Sequence, residues 1–219
     1  MKTRVDLRHR SLLLVFVVTT LLSLWRSAPA PRVAHADPVP APILLIVNGG
    51  YAANPFGGYL GEILRAEGLN AYTTVDLSAL TAGELAAHSV AVLAETPLTG
   101  PQATLLADYV NGGGRLIAMR PDAQIKGLFG LGAAAGTLAD GYVKFDNAQP
   151  AAAGLTTAAL QIHGTADQYA LAGGTEVARL YSNRTTATAY PAVASGSGGR
   201  AVAFTYDLAR NVVYTRQGN

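Results

Sequence analysis

The stretch Ile43-Leu44-Leu45-Ile46-Val47-Asn48-Gly49-Gly50 decides the fold: five consecutive apolar residues closed by a glycine turn. A strand that is apolar at every position has no face to give to water, so it belongs in the middle of a sheet covered on both sides. Outward from it, Asn54-Pro55 has the form of a helix N-cap with proline at the first helical position. Phe56, Tyr59, Leu60, Ile63 and Leu64 then recur at helical spacing, and Gly68 closes the helix. Strand, loop and helix in that order predict a return strand over residues 71–75.

The same pattern runs on down the chain. Thr81-Ala82-Gly83-Glu84 has capping-box form before a short helix, and Val90 to Ala94 is the next apolar strand. Thr99 and Gln102 form a second capping box, Leu105, Leu106, Tyr109 and Val110 mark the inner face of its helix, and Leu116 to Met119 is a further strand. Alternating strands and helices with short connections imply right-handed parallel βαβ units. Past Ala123 the pattern weakens. Strands are expected at 142–145, 178–181, 191–194 and 201–204, partly antiparallel, with 195–199 as a hairpin loop and a helix from Asp207.

The N-terminus follows other rules. Lys2, Arg4, Arg8 and Arg10 precede an apolar run, Leu12 to Trp25, and Ala34-His35-Ala36 supplies small residues at a cleavage point. The apolar run is fourteen residues long, short of the ~20 that span a bilayer as a helix. Residues 1–36 therefore read as a secretory signal peptide cleaved after Ala36, and 37–42 as a Pro-rich linker. The expected location is secreted, periplasmic or cell-envelope, with no stable membrane anchor after cleavage. The chain carries sixteen Lys and Arg against fourteen Asp and Glu. The leader holds six of those basic residues and one acidic residue, so residues 37–219 carry ten against thirteen, a net of −3. A patch able to neutralise phosphates is then missing, and nucleic acid is not an expected partner. The abrupt end at Asn219 suggests a domain truncated at its C-terminus within a longer protein.

Cysteine is absent, which excludes disulfides, Cys-ligated zinc and a thiolate nucleophile. In an open parallel sheet, ligands sit beyond the carboxyl ends of the strands. That places Asn48, Tyr51, Asn54, Glu95, Arg120, Asp122 and Asp207 as candidate ligand-binding residues. The simplest arrangement there is an ion pair between Glu95 and Arg120 tying two strand ends together. Glu95, Asp122 and His163 are the only catalytic candidates, His163 either as a base oriented by Asp167 or as a loop residue bonded to backbone. His88, at the end of a short helix, is read as solvent-facing. No G-x-G-x-x-G lies between strand and helix, no G-x-x-x-x-G-K-[ST] occurs, and neither a G-x-S-x-G elbow nor an H-E-x-x-H is present. Neither a metal nor a cofactor is expected.

Val90-Ala91-Val92-Leu93, Leu98-Thr99-Gly100-Pro101-Gln102 and Tyr109-Val110-Asn111-Gly112-Gly113-Gly114-Arg115-Leu116 together carry a resemblance. This "L-T-x-x-Q … Y-V-x-x-G-G-R-L" run resembles the class I glutamine amidotransferase-like superfamily. It is most similar to the non-amidotransferase branches, among them the trimerisation domain of some β-galactosidases and the trehalose-utilisation-type proteins. Gln149-Pro150 with Gly154-Leu155 resembles their "H-P-x-x-x-G-L" segment with Gln in place of His, and Gly199 to Phe204 resembles a late strand. The resemblance implies an α/β, flavodoxin-like three-layer sandwich with a mainly parallel sheet over 43–219. Family amidotransferases attack with a Cys at the strand end occupied here by Met119-Arg120-Pro121, so that activity is excluded. The expected function is a secreted, non-catalytic module of a larger protein, associated with carbohydrate. A secreted hydrolase and an oligomerisation domain are the alternatives.

Overall fold

The computed structural model describes residues 41–218; the expected signal peptide and most of the linker lie outside the described residues. Among the described residues, ten strands and four α-helices follow β1 (Ile43–Val47) in the order α1 (Tyr59–Ala66), β2 (Tyr72–Asp76), α2 (Ala82–Ala86), β3 (Val90–Leu93), α3 (Gly100–Asn111), β4 (Leu116–Met119), β5 (Leu131–Ala139), β6 (Tyr142–Phe145), β7 (Leu160–Gln161), β8 (Thr165–Leu171), β9 (Thr175–Tyr181), β10 (Ala187–Gly196), β11 (Ala201–Phe204) and α4 (Leu208–Gln217). Nine strands form one sheet in the order β2-β1-β3-β4-β11-β10-β9-β6-β7. The first five pair in parallel and the rest antiparallel. Along the parallel half, the order 2-1-3-4 followed by the last strand is that of flavodoxin-like folds.

The two-sided burial read from Ile43–Val47 has a direct structural cause. Leu44 and Ile46 enter a core under α2 and α3, with Leu85, Leu106 and Val110. Leu45 faces the other way, into a core with Leu60 of α1 and Ala209 of α4. Successive side chains point to opposite faces of a strand, and each face here has its own helical layer. Gly57 and Gly61 allow close approach to the sheet, since a Cβ at either would stand 2.9 Å from Ala94 Cβ or Tyr72 Oη. The chain enters α1 through a 3₁₀ turn, Pro55–Gly58, whose N-cap Asn54 accepts from Phe56 N–H at 3.0 Å.

The antiparallel half has its own core, including Val143, Val177, Leu180 and Val193. β5 and β8 pair with each other outside the main sheet, as a ribbon against β10. Neither strand was expected. β5 (Leu-Gly-Ala-Ala-Ala-Gly-Thr-Leu-Ala) is mostly exposed and has no apolar alternation to read, so its conformation is set by its partner. β8 begins two residues after His163, in a stretch with no strand signal of its own.

Candidate functional site

The carboxyl ends of β1, β3, β4 and β11 bring four polar side chains into one chain of hydrogen bonds, which Asp167 of β8 extends. Asn54, in the loop after β1 and only 5% exposed, is its centre. Asn54 Nδ2 donates to Glu95 Oε2 at 2.8 Å and to Asp207 Oδ2 at 2.7 Å. Its Oδ1 accepts from Phe56 N–H at 3.0 Å, so both donors and the carbonyl oxygen have partners. Arg120 extends the chain: Nη1 donates to Glu95 Oε1 and Nη2 to Asp167 Oδ1, each at 2.9 Å. Asp207 Oδ1 caps α4 by accepting from Ala209 N–H at 2.8 Å. Strand-end residues thus tie β3, β4 and β11 to the ribbon strand β8, through the partner residue Asp167.

Electrostatics in this cluster pull in two directions. Burial pushes the Glu95 carboxyl above its usual range; the Arg120 cation opposes the rise and Asp207 adds to it. Burial alone would lower the Arg120 guanidinium, but hydrogen bonds and attraction from Asp167 and Glu95 outweigh it and hold the charge firmly. Arg120 also adopts φ 38°, in the left-handed region, directly before Pro121. A side-chain-bearing residue stays there only when its surroundings over-determine it. Here Arg120 N–H donates to Phe204 O at 2.7 Å while its guanidinium is held at both ends.

The other candidates stand apart from the cluster. Asn48 Nδ2 donates to Thr96 Oγ1 at 2.9 Å, and its Oδ1 accepts from Gly50 N–H at 3.0 Å. Tyr51 is half-buried in the same turn, its N–H on Asn48 O. Asp122 accepts from Leu98 N–H at 3.0 Å and from Gln124 N–H at 2.8 Å, which fastens two strand-end loops to each other. His163 lies against α4: its N–H donates to Asn211 Oδ1 at 2.5 Å, and its ring meets Tyr214 edge to face. Asp167 is paired with Arg120 and so does not orient His163. His88 is buried rather than solvent-facing, with Nδ1 on Glu84 O at 2.7 Å, so Nδ1 carries the proton. Asp167 is the cluster member that sequence reasoning did not place with Arg120, because its strand pairs far from β4 in sequence. Among the described residues, no three His, Asp or Glu side chains are grouped to hold a metal ion.

Glu95 and Asp207 have both carboxylate oxygens engaged within the protein. Each of those oxygens accepts from a donor on another segment, so the two carboxylates join strand ends to one another and to the start of α4.

No family model and no curated protein matches the sequence. Solved structures do. α-L-Fucosidase isoenzyme 2 from Paenibacillus thiaminolyticus is similar with a TM-score of 0.59 at 15% identity, over 82% of this chain and 30% of that one. The chain shares its fold with these proteins. A ThuA-like protein from Bacteroides uniformis matches with a TM-score of 0.57 at 13% identity, over 83% of this chain and 91% of that one. A β-galactosidase from Rahnella sp. R3 matches at 0.59 and 15%, over 82% of this chain and 32% of that one. This chain thus spans under a third of either glycosidase but nearly the whole of the ThuA-like protein.

Proposed function

We propose that the protein is an exported, non-catalytic α/β module that serves carbohydrate processing through its surface, as part of a larger extracellular or envelope assembly. The observation that carries this reading is the network Asp167–Arg120–Glu95–Asn54–Asp207, at the end of the sheet where open α/β sheets hold their ligands, in which every carboxylate is bonded to another element. Where a reaction would need free acids and bases, each is bonded to a neighbouring element. Likeness to an α-L-fucosidase and a β-galactosidase supports the carbohydrate association. The basic, apolar and small-residue order of residues 1–36 supports export. The test offers the exported protein aryl glycosides and aryl esters. No turnover is expected; steady hydrolysis abolished by Glu95→Gln or His163→Ala would overturn the proposal and favour a hydrolase. Fusing residues 1–36 to a reporter tests export, and a reporter retained in the cytoplasm counts against it.

A second reading is an oligomerisation domain. The resemblance of the Leu98–Leu116 run to the trimerisation domain of some β-galactosidases, and the fold's occurrence within longer β-galactosidase chains, favour it. Sedimentation equilibrium decides: self-association supports this reading, and a monomer at all concentrations removes it.

A further inference from the structure

Beside the strand-end cluster, α4 carries an arginine that the cluster does not use. The Arg210 guanidinium makes no hydrogen bond or ion pair among the described residues, and its Nε is buried without an acceptor. Packing alone holds it. Its guanidinium carbon lies over the Phe56 ring, 5.1 Å from the centre. On another side Gly164 leaves the room it needs, since a Cβ there would stand 3.0 Å from Arg210 Cδ and 3.1 Å from Nη1. Gly164 also takes φ +100°, a conformation that glycine adopts without strain.

Aromatic rings continue outward from Phe56. Tyr214 meets it edge to face at 5.4 Å, and Tyr59, at the start of α1 and 41% exposed, lies 6.3 Å away. His163 in turn meets Tyr214 at 6.3 Å. Arg210 and Tyr214 are one turn apart on α4 and so share a face. The guanidinium and these four rings therefore form one contiguous patch.

The charge of Arg210 is unanswered there. It stands in the first turn of α4, where the helix dipole favours anions over cations. Glu95 feels its charge, but both Glu95 oxygens are taken by Asn54 and Arg120. Nη1 and Nη2 are left as two donors in one plane, a fork that matches the two oxygens of a carboxylate. The rings beside the fork offer apolar faces, against which the C–H face of a sugar ring can lie.

We propose that this patch binds an acidic sugar, a hexuronic acid residue, its carboxylate accepting from Arg210 Nη1 and Nη2 and its ring lying on Tyr59. The sugar ring rests on the carbohydrate association proposed above; the carboxylate rests on Arg210 alone.

The test is calorimetric titration of the exported protein with para-nitrophenyl β-D-glucuronide. The matching glucoside, with a hydroxymethyl group in place of the carboxylate, is the comparison. Saturable binding of the glucuronide, about tenfold or more tighter than the glucoside, is expected. Arg210→Gln should weaken the glucuronide about ten- to a hundredfold and bring the two sugars level. Tyr59→Ala, at an exposed position, should weaken both sugars. No binding of the glucuronide, or unchanged affinity in Arg210→Gln, would overturn the proposal. Equal affinity for the two sugars overturns acid recognition and leaves the carbohydrate association standing. Displacement of the glucuronide by an equal concentration of acetate overturns the sugar and leaves a simple anion site. Release of para-nitrophenolate would count against the non-catalytic reading instead, so the two fail separately. Should Arg210→Gln lose its native circular dichroism, Arg210→Lys and Tyr59→Ala decide, and unchanged affinity in both overturns the site.

Discussion

Asn54 shows how much one side chain can hold. It separates two carboxylates, Glu95 and Asp207, by donating one N–H to each. Asn54→Ala should cost about 2–4 kcal/mol in urea unfolding, because two buried acceptors lose their partner and face each other. Glu95 gives this cluster a pH signature. Burial raises its folded value, so its contribution is fully present below the ordinary carboxylate range and is lost as pH rises through the raised value. The difference in stability between the unaltered protein and Glu95→Gln should therefore shrink in that direction across mildly acidic pH. Asp76 behaves oppositely. The Ser78 hydroxyl and the Gly49 and Ser78 N–H groups lower it from 3.8 to about 2. Its contribution is present above the ordinary value and is lost as pH falls toward the lowered one. An NMR titration should place its midpoint at about 2, and Ser78→Ala should move it upward; a midpoint unmoved by that change would remove the hydroxyl as the main cause.

Among the elements, those with local signals were legible and those without were not. Thr99 and Gln102 do form a reciprocal capping box, and Leu106 and Val110 are fully buried on the inner face of α3. Thr99→Ala should cost about 1 kcal/mol, the usual worth of such a cap. β5 and β8 could not be read this way: β5 lacks apolar alternation, and its strand form comes from pairing with β8 some thirty residues on. Gly130 leads into that ribbon, closing the 3₁₀ turn Lys126–Phe129 just before β5. It has φ +67°, and a Cβ there would stand 2.2 Å from Gly174 Cα. Gly130→Ala should lose about 3 kcal/mol or more, whereas Gly113→Ala, at φ +105° with open space around it, should lose about 1–2 kcal/mol from backbone strain alone. Equal losses at the two sites would show that crowding against Gly174 contributes nothing.

Over the whole molecule, charge and topology have different origins. Under the proposed cleavage after Ala36, the remaining chain would carry a net of −3. Isoelectric focusing of the exported form should therefore give an acidic point, against about 8.9 for the full chain; a basic value would mean that the leader is retained. The α/β class follows from residues 43–47 alone, because a strand apolar at every position is stable only between two layers, and that requirement is local. Composition by itself also determines the loss of cysteine chemistry, since an absent atom needs no geometry. The strand order within the antiparallel half, the pairing of Asp167 with Arg120 and the seating of Arg210 on Phe56 were decided only by the tertiary structure. Each depends on contacts between residues distant in the chain, such as Arg120 with Asp167 or Asn54 with Asp207. Hydrogen bonds and burial act on distance in space, and the spacing of residues along the chain carries no record of them.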